Sequence, residues 1–263
     1  KELARLNRDP DTVVVAGLVG VQSNQFPRAC DIAAEFRKQG MQVMIGGFHV
    51  SGMLTLFGEP THDLQACLNQ GISLVKGEAE APGALAQILG DALAEKMLPI
   101  YDIREFPDLE HAPVPHTAEK LRKKRISNMS TIDTSRGCPF NCSFCTIINV
   151  QGRKMRYRSA ACVLKSIEED HKRGITEYFF TDDNFSRNPV WEEILDGLIA
   201  FREKGMKGLF MMQIDTRAHL IPRFVEKAAK AGCYMVFIGM ESVNEANLNA
   251  IGKKQNHVQD YAE

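Results

Sequence analysis

The feature that most constrains the fold is a repeated alternation of short β-branched runs with stretches of helical periodicity. Apolar runs at 12–21 and 41–45 flank a stretch at 27–39 whose apolar residues recur at helical spacing. A third run at 73–75 follows a helix-like stretch at 62–69. Parallel strands need crossover connections of this length, so the alternation predicts an α/β fold with a parallel sheet.

The alternation resumes more strongly in the second half of the chain. Strands are predicted at 130–134, 177–181, 208–214 and 234–239. Helices are predicted between them at 160–173, 189–204 and 221–231. Four βα units in series indicate a (β/α) barrel or part of one, with its chemistry at the carboxyl ends of the strands.

A proline-rich segment separates the two halves. Residues 99–129 hold four prolines and a basic run at 120–125, which we interpret as a solvated face of a linker. The sequence therefore predicts a Rossmann-like parallel-sheet domain at 1–98, a linker at 99–129 and a barrel domain at 130–263. The abrupt start and stop predict a fragment, with the first domain incomplete at its N-terminus and the barrel truncated after four units.

Composition and charge exclude several classes of protein. The 44% hydrophobic and 25% charged residues are ordinary for a globular chain. A formal net charge of -1 gives no field for nucleic acid or an anionic membrane, so a small-molecule or peptide-like substrate is expected. The longest apolar runs are about half the ~20 residues of a membrane span, and a charged-then-apolar leader does not open the chain. We expect a cytoplasmic protein.

Cysteine usage points away from disulfides. Seven cysteines are an odd number in a chain that can bury a sizeable core. Four of them are scattered and are expected to be small core residues, namely Cys30, Cys67, Cys162 and Cys233.

The other three cysteines crowd into one loop directly after the first strand of the second domain. The stretch 135–145 reads SRGCPFNCSFC and sets Cys138, Cys142 and Cys145 in a C-x3-C-x2-C array. A [4Fe–4S] cube takes four ligands where this segment offers three, which leaves one iron open. A zinc site usually needs a second ligand pair, and a ferredoxin usually supplies all four ligands; these are the weaker alternatives, with a redox-active thiol pair.

The array, with Phe144 just before its third cysteine, resembles the signature of the radical S-adenosylmethionine (SAM) superfamily over residues 130–263. The resemblance implies that Cys138, Cys142 and Cys145 ligate the cluster, that SAM chelates the fourth iron, and that Phe144 flanks the adenine. It further implies a 5'-deoxyadenosyl radical, formed with an electron from a reductant such as flavodoxin or ferredoxin.

Polar residues follow the predicted strands at the mouth of the barrel. After the second strand, the resemblance places Asp182 or Asp183 at the methionine amino group, where the family commonly has a Gly-Gly-Glu-like segment. A helix-capping Asp-Asn turn is the alternative. The remaining candidates for SAM are Gln213, Arg217, Glu241 and Ser242.

Arg217, Glu241 and Ser242 each carry a group that suits part of SAM. The Arg217 guanidinium suits the methionine carboxylate, although a salt bridge on the barrel rim is an equal alternative. The resemblance assigns Glu241 and Ser242 to the ribose hydroxyls and backbone of SAM. The stretch from Arg156 through Arg158 to Ser159 resembles an Arg-x-Arg-Ser segment of cobalamin-linked members, or else is a basic loop over a helix start.

The segments 19–29, 45–52 and 75–82 resemble the second half of a cobalamin-binding Rossmann-like domain. Ser23 takes the place of a family serine, and the resemblance implies that Gly46 and Gly47 let the backbone pass close to the nucleotide tail of cobalamin. The chain has no Asp-x-His-x-x-Gly segment to supply a histidine to cobalt. We expect His49 in a loop and His62 on a helix surface, rather than as substitutes.

The leading hypothesis is a radical SAM enzyme that uses a [4Fe–4S] cluster, SAM and cobalamin, with methyl transfer as the commonest outcome the resemblance implies. The competing hypothesis is a non-catalytic cobalamin- or zinc-binding module. Methylthiolation of tRNA needs a further cluster domain and a basic surface, and neither is visible in the sequence.

Overall fold

The computed structural model describes residues 12–110, 112 and 129–262, which form an α/β fold with two parallel four-stranded sheets. This confirms the α/β fold with parallel sheets that the alternation predicts. The described residues divide into two compact units, of which the first holds 12–107 with Asn149–Gln151 and the second holds the rest. The remainder of the predicted linker, including the basic run at 120–125, lies outside the described residues.

The first unit contains a sheet with the strand order β1-β2-β3-β4. Its strands are β1 (Val15–Leu18), β2 (Gln42–Gly46), β3 (Ser73–Lys76) and β4 (Ile100–Asp102). Its helices are α1 (Phe26–Lys38), α2 (Phe48–Phe57), α3 (His62–Asn69) and α4 (Ala84–Leu93). Strand β4 falls within the range predicted as a linker and pairs in parallel with β3, with Tyr101 opposite Val75.

The core of the first unit lies between α1 and β2. Helix α1 begins where a proline occupies its first turn and ends on two basic residues, which suits the helix dipole. It sets Phe26 and Ala33 against Val43 and Ile45, all of them buried. Full burial of a large apolar side chain contributes about 1.5–3 kcal/mol. This packing fixes the edge of the sheet at which β1, β2 and β3 end.

The second unit contains a sheet with the strand order β10-β9-β8-β5 and a short antiparallel ribbon of β6 and β7. Its strands are β5 (Met129–Ile132), β6 (Ser135–Arg136), β7 (Arg156–Tyr157), β8 (Glu177–Phe180), β9 (Leu209–Ile214) and β10 (Cys233–Ile238). The short helix α5 (Ile147–Val150) is divided between the two units at Asn149. The helices of the second unit are α6 (Ala160–Lys172), α7 (Trp191–Glu203), α8 (Phe224–Ala231) and α9 (Glu245–Ala250).

The register of the second sheet brings its strand ends into line. Ile132 lies opposite Phe180, and Ile214 lies opposite Ile238. Helices α6, α7 and α8 cover one face, where the buried side chains include Val163, Ile167, Ile194, Leu195, Phe210 and Phe224. The loops that leave β5, β8, β9 and β10 therefore emerge at one edge, as expected for chemistry at the carboxyl ends of parallel strands.

The scattered cysteines agree only in part with the expectation that they are core residues. Cys67 is buried, whereas Cys30, Cys162 and Cys233 are half-buried. In the described part of the chain, the helices are all too short or too polar to serve as a membrane span.

Candidate functional site

The three cysteines of the C-x3-C-x2-C array lie on one loop that leaves β6 and returns through β7. Pairing of Ser135 with Tyr157 closes the base of this loop. Cys142 is buried, while Cys138 and Cys145 are half-buried. The loop lies at the carboxyl edge of the second sheet, directly after β5.

The thiols of Cys138 and Cys145 in this loop lie near the carboxyl group of Asp183. Burial raises the pKa of Cys138 and Cys145, and the charge of Asp183 raises the pKa of both further. Thiolates in such surroundings need a cation to compensate them. Across 12–110, 112 and 129–262, no three His, Cys, Asp or Glu side chains are placed to hold a single metal ion. The donor set suits a cubane, which takes each thiolate on a separate iron, better than a mononuclear zinc site.

Asp182, at the end of β8, is fully buried and is held by the protein itself. Its carboxylate accepts hydrogen bonds from the Thr134 backbone N–H at 2.7 Å and from the Ser135 hydroxyl at 2.6 Å. The Thr134 hydroxyl also donates to it, and Asn188 Nδ2 donates to that hydroxyl at 2.8 Å. Burial raises the pKa of Asp182 in spite of these hydrogen bonds. This carboxylate ties the end of β5 to the end of β8.

Asp183 has different surroundings from its neighbour. Burial and the adjacent Asp182 raise the pKa of Asp183 to about 7. Its charge reaches the thiols of Cys138 and Cys145. Gln213, from the end of β9, donates through Nε2 to the main-chain oxygen of Asp182 at 3.1 Å and so braces this strand end. Of the two acids predicted here, Asp183 is the one that shares the surroundings of the thiols.

Arg217 lies beside the cysteine loop, next to a second arginine that sequence reasoning missed. The exposed Arg217 side chain helps to line a cavity of about 450 Å³ with Phe140 and Arg187. Arg187 donates to Asp215 through Nε at 2.7 Å and Nη2 at 2.8 Å, and it lies 5.4 Å from the centre of the Phe140 ring. Because Asp215 compensates the charge of Arg187, Arg217 is the cationic group of this cavity that suits an anionic group.

Glu241 and Phe144, both predicted to contact SAM, lie on either side of a lysine that was not predicted. Lys253 Nζ donates to Glu241 Oε1 at 2.8 Å and lies 5.7 Å from the centre of the Phe144 ring. Lys253 is buried, and no sequence pattern distinguishes it from its neighbour Lys254. Ser242 accepts a hydrogen bond from the backbone of Asn244, just ahead of α9.

In the Arg-x-Arg-Ser segment, Arg158 and Ser159 make hydrogen bonds within the protein. The Arg158 side chain is buried, and it donates to the main-chain oxygens of Asp133 and Ala112 at 3.0 and 2.7 Å. Ser159 caps α6 by accepting a hydrogen bond from the backbone of Cys162 at 3.3 Å. Ser159 thus lies at a helix start, whereas Arg156 belongs to β7 rather than to a loop.

In the first unit, Ser23 is linked to a buried histidine. His49 Nδ1 lies 3.2 Å from Ser23 Oγ, and Nε2 lies 3.0 Å from Asp63 Oδ2. The neutral tautomer with its proton on Nε2 lets Asp63 accept from Nε2–H and lets Nδ1 accept the serine proton, so that the exposed hydroxyl oxygen keeps its lone pairs for a ligand. The expectation that His49 lies in a loop is wrong: it belongs to α2, is buried and stacks on Phe26 at 4.1 Å.

The glycines at the end of β2, Gly46 and Gly47, are explained by packing within the unit. Gly47 has φ +137°, and a Cβ there would stand 2.2 Å from the Val21 nitrogen. A Cβ at Gly46 would stand 3.3 Å from Val75 Cβ. At both glycines, the backbone therefore lies close to other parts of the protein itself.

Comparison with known proteins gives one family. The model of the Radical SAM superfamily matches residues 132–263, half of the chain. The chain is 27% identical over 90% of its length to the bacteriochlorophyllide d C-8(2)-methyltransferase of Chlorobaculum tepidum, and 26% identical over 94% to the hopanoid C-2 methylase of Rhodopseudomonas palustris. These matches cover 52% and 44% of those proteins, so the chain spans about half the length of the curated relatives it matches.

Solved structures of similar fold include TsrM from Kitasatospora setae, a radical SAM methyltransferase with tryptophan substrate and a SAM analogue bound. It matches 98% of this chain and 55% of its own at a TM-score of 0.72 and 18% identity. The cobalamin-dependent SAM radical enzyme OxsB, with aqua-cobalamin and SAM bound, matches 97% of this chain and 38% of its own at 0.65 and 18% identity. At this level of identity the likeness shows the fold.

Proposed function

The chain belongs to the radical SAM superfamily, and from this premise we propose that it forms the cluster-binding part of a cobalamin-dependent radical SAM methyltransferase. The observation that carries the proposal is the loop of Cys138, Cys142 and Cys145 at the carboxyl edge of a parallel sheet. Three thiolates hold three irons of a [4Fe–4S] cube and leave the fourth for the amino and carboxylate groups of SAM. When bound, the cluster and SAM supply a 5'-deoxyadenosyl radical, and cobalamin supplies a transferable methyl group.

The residues around the loop divide the recognition of SAM between them. Asp183 accepts from the methionine amino group, since Asp182 is committed to β5. Arg217 offers its guanidinium to the methionine carboxylate. Phe144 flanks the adenine, and Glu241 accepts from the ribose hydroxyls. Ser242 and Gln213 hold the strand ends that present these groups.

The first unit is proposed to bind cobalamin at the carboxyl edge of its sheet. Ser23 presents a hydroxyl oxygen oriented by His49 and Asp63, which suits a ligand rich in amide N–H groups. Gly46 and Gly47 keep the neighbouring loops close to that edge. We place the boundary between this Rossmann-like domain and the first βα units of a (β/α) barrel within the predicted linker at 99–129.

The substrate is proposed to be a small molecule, and the electron is proposed to come from a reductant such as flavodoxin or ferredoxin. The named substrates of similar proteins, bacteriochlorophyllide d and tryptophan, support a small substrate.

The proposal is tested by anaerobic reconstitution with iron and sulfide, followed by reduction in the presence of SAM. Wild-type protein and the control Cys162→Ala, which changes a half-buried cysteine away from the loop, should each bind about four irons and four sulfides. Cys142→Ala should lose the cluster, and only cluster-loaded protein should release 5'-deoxyadenosine. Stoichiometric zinc in place of iron would instead favour the non-catalytic module.

A further inference from the structure

The segment after α9 lies against the cysteine loop, although the two are distant in the sequence. The Ser143 backbone N–H and hydroxyl both donate to the main-chain oxygen of Ile251, at 2.8 and 3.1 Å. A Cβ at Gly252 would stand 2.6 Å from the main-chain oxygen of Asn141, so the two backbones are in close contact. The segment is thus a second support for the loop, independent of the β6–β7 ribbon.

One side chain of this segment contacts a cysteine sulfur. Gln255 Nε2 donates to Cys142 Sγ at 3.5 Å, across a separation of 113 residues in the sequence. Gln255 is 8% exposed and Cys142 is 7% exposed, so water does not compete for this hydrogen bond. Lys253, two residues earlier, anchors the segment through Glu241 and the Phe144 ring.

We propose that Gln255 is a positioning residue that raises the reduction potential of the cluster by donating its amide hydrogen bond to the Cys142 sulfur. This rests on the proposed function, because Cys142 must be a cluster ligand. A hydrogen bond to a thiolate sulfur withdraws electron density from the iron and favours the reduced cluster, which carries one more negative charge. The external reductant supplies that electron, and no covalent bond to the protein forms or breaks.

The test compares Gln255→Leu with a control glutamine in the same part of the chain. Gln259 is exposed, so Gln259→Leu removes the same amide without touching the loop. The midpoint potential of the anaerobically reconstituted protein is measured by EPR-monitored redox titration without SAM. Gln255→Leu should keep its iron and shift to lower potential, whereas Gln259→Leu should titrate with the wild type. A Gln255→Leu midpoint equal to that of the wild type would overturn the inference.

A second variant distinguishes a role of Gln255 in tuning the potential from loss of the cluster through misfolding. Gln255→Glu keeps the size and polarity of the side chain but replaces the donor with a carboxylate, and it should also lower the potential. If both Gln255 variants lose the cluster while Gln259→Leu retains it, the role of Gln255 is structural and the tuning role is wrong. A wild-type protein that binds no iron would instead refute the proposed function itself.

Discussion

Asp182 and Asp183 are adjacent in the sequence, but their carboxyl groups have different surroundings. Asp182 is surrounded by donors from the end of β5, and its hydrogen bonds offset its burial in part. Asp183 is half-buried, and desolvation and the neighbouring Asp182 raise its pKa. The first carboxyl is therefore committed to hydrogen bonds that join β5 to β8, while the second is the one proposed to accept from the amino group of a ligand.

The paired substitutions Asp182→Asn and Asp183→Asn should separate these roles. Asp182→Asn leaves one acceptor oxygen, which cannot serve both the Thr134 N–H and the two hydroxyls, and should lower the free energy of unfolding by about 2–3 kcal/mol. Asp183→Asn should leave that free energy unchanged or raise it at pH 7, because a carboxyl whose folded pKa is raised costs stability above its unfolded pKa. Urea denaturation followed by circular dichroism measures both. Equal losses in the two variants would contradict the assignment.

Asp215 makes the free energy of unfolding depend on pH. Burial alone would raise its pKa, but hydrogen bonds from Arg187 and Asn184, with the guanidinium charge, hold the pKa of Asp215 below its usual value of 3.8. A carboxyl with a lowered folded pKa contributes stability above the unfolded value, and this is lost as the pH falls through the folded value. Wild type should therefore exceed Asp215→Asn in unfolding free energy at pH 7, and the gap should shrink below about pH 4. A gap independent of pH in urea titrations would refute this.

The position of Asp182 and Asp183 at a strand end was predictable from the apolar run before them, but the groups that each carboxyl contacts were not. The choice between them depends on Thr134 and Ser135, which lie 48 and 47 residues away. Lys253 and Gln255 likewise approach the loop only through tertiary contacts, so local spacing holds no signal for them.

At the scale of elements, the carboxyl edge of the first sheet depends on a close approach of two loops. The His49 backbone N–H donates to the Val21 oxygen at 3.1 Å, and the Val21 N–H donates to the Gly46 oxygen at 3.1 Å. Gly47 lies between these hydrogen bonds in a conformation that is essentially restricted to glycine. The start of α2 is therefore fixed by backbone contacts.

Gly47→Ala and Gly58→Ala form a matched test of this approach. Both glycines have positive φ, but a Cβ at Gly58 would have nothing within 4 Å, whereas one at Gly47 would meet the Val21 backbone. Gly58→Ala should cost about 1 kcal/mol of unfolding free energy, and Gly47→Ala about 3 kcal/mol or more. Thermal or urea denaturation checks the difference. Similar losses of unfolding free energy in the two variants would show that the loops can move apart with little loss of stability.

Elements with a clear period were predictable, and elements defined by long-range pairing were not. The four strands of the second sheet and α3 were identified from apolar runs and helical spacing. Helix α2 was missed because it is apolar on nearly all sides and follows a glycine pair. Strand β4 is three residues long and sits among prolines and acids, so only its pairing with β3 defines it.

At the scale of the whole molecule, the proposed cobalamin and cluster sites lie in different units. Ser23 lies in the first unit, and Cys142 lies in the second. Ser23→Ala should weaken cobalamin binding about tenfold, the equivalent of one hydrogen bond, and leave iron content unchanged. Cys142→Ala should abolish iron binding and leave cobalamin affinity unchanged. Absorbance titration with hydroxocobalamin and iron analysis measure the two, and joint loss in either variant would contradict independent sites.

In the proposed site, three thiolates hold a cluster with one iron open to SAM. The most direct measurement is electron–nuclear double resonance of the reduced cluster, with SAM carrying ¹⁵N in its methionine amino group. The account predicts a ¹⁵N coupling that disappears when unlabelled SAM replaces the labelled one. A reduced cluster that shows no coupling to the labelled nitrogen, with SAM bound, would contradict it.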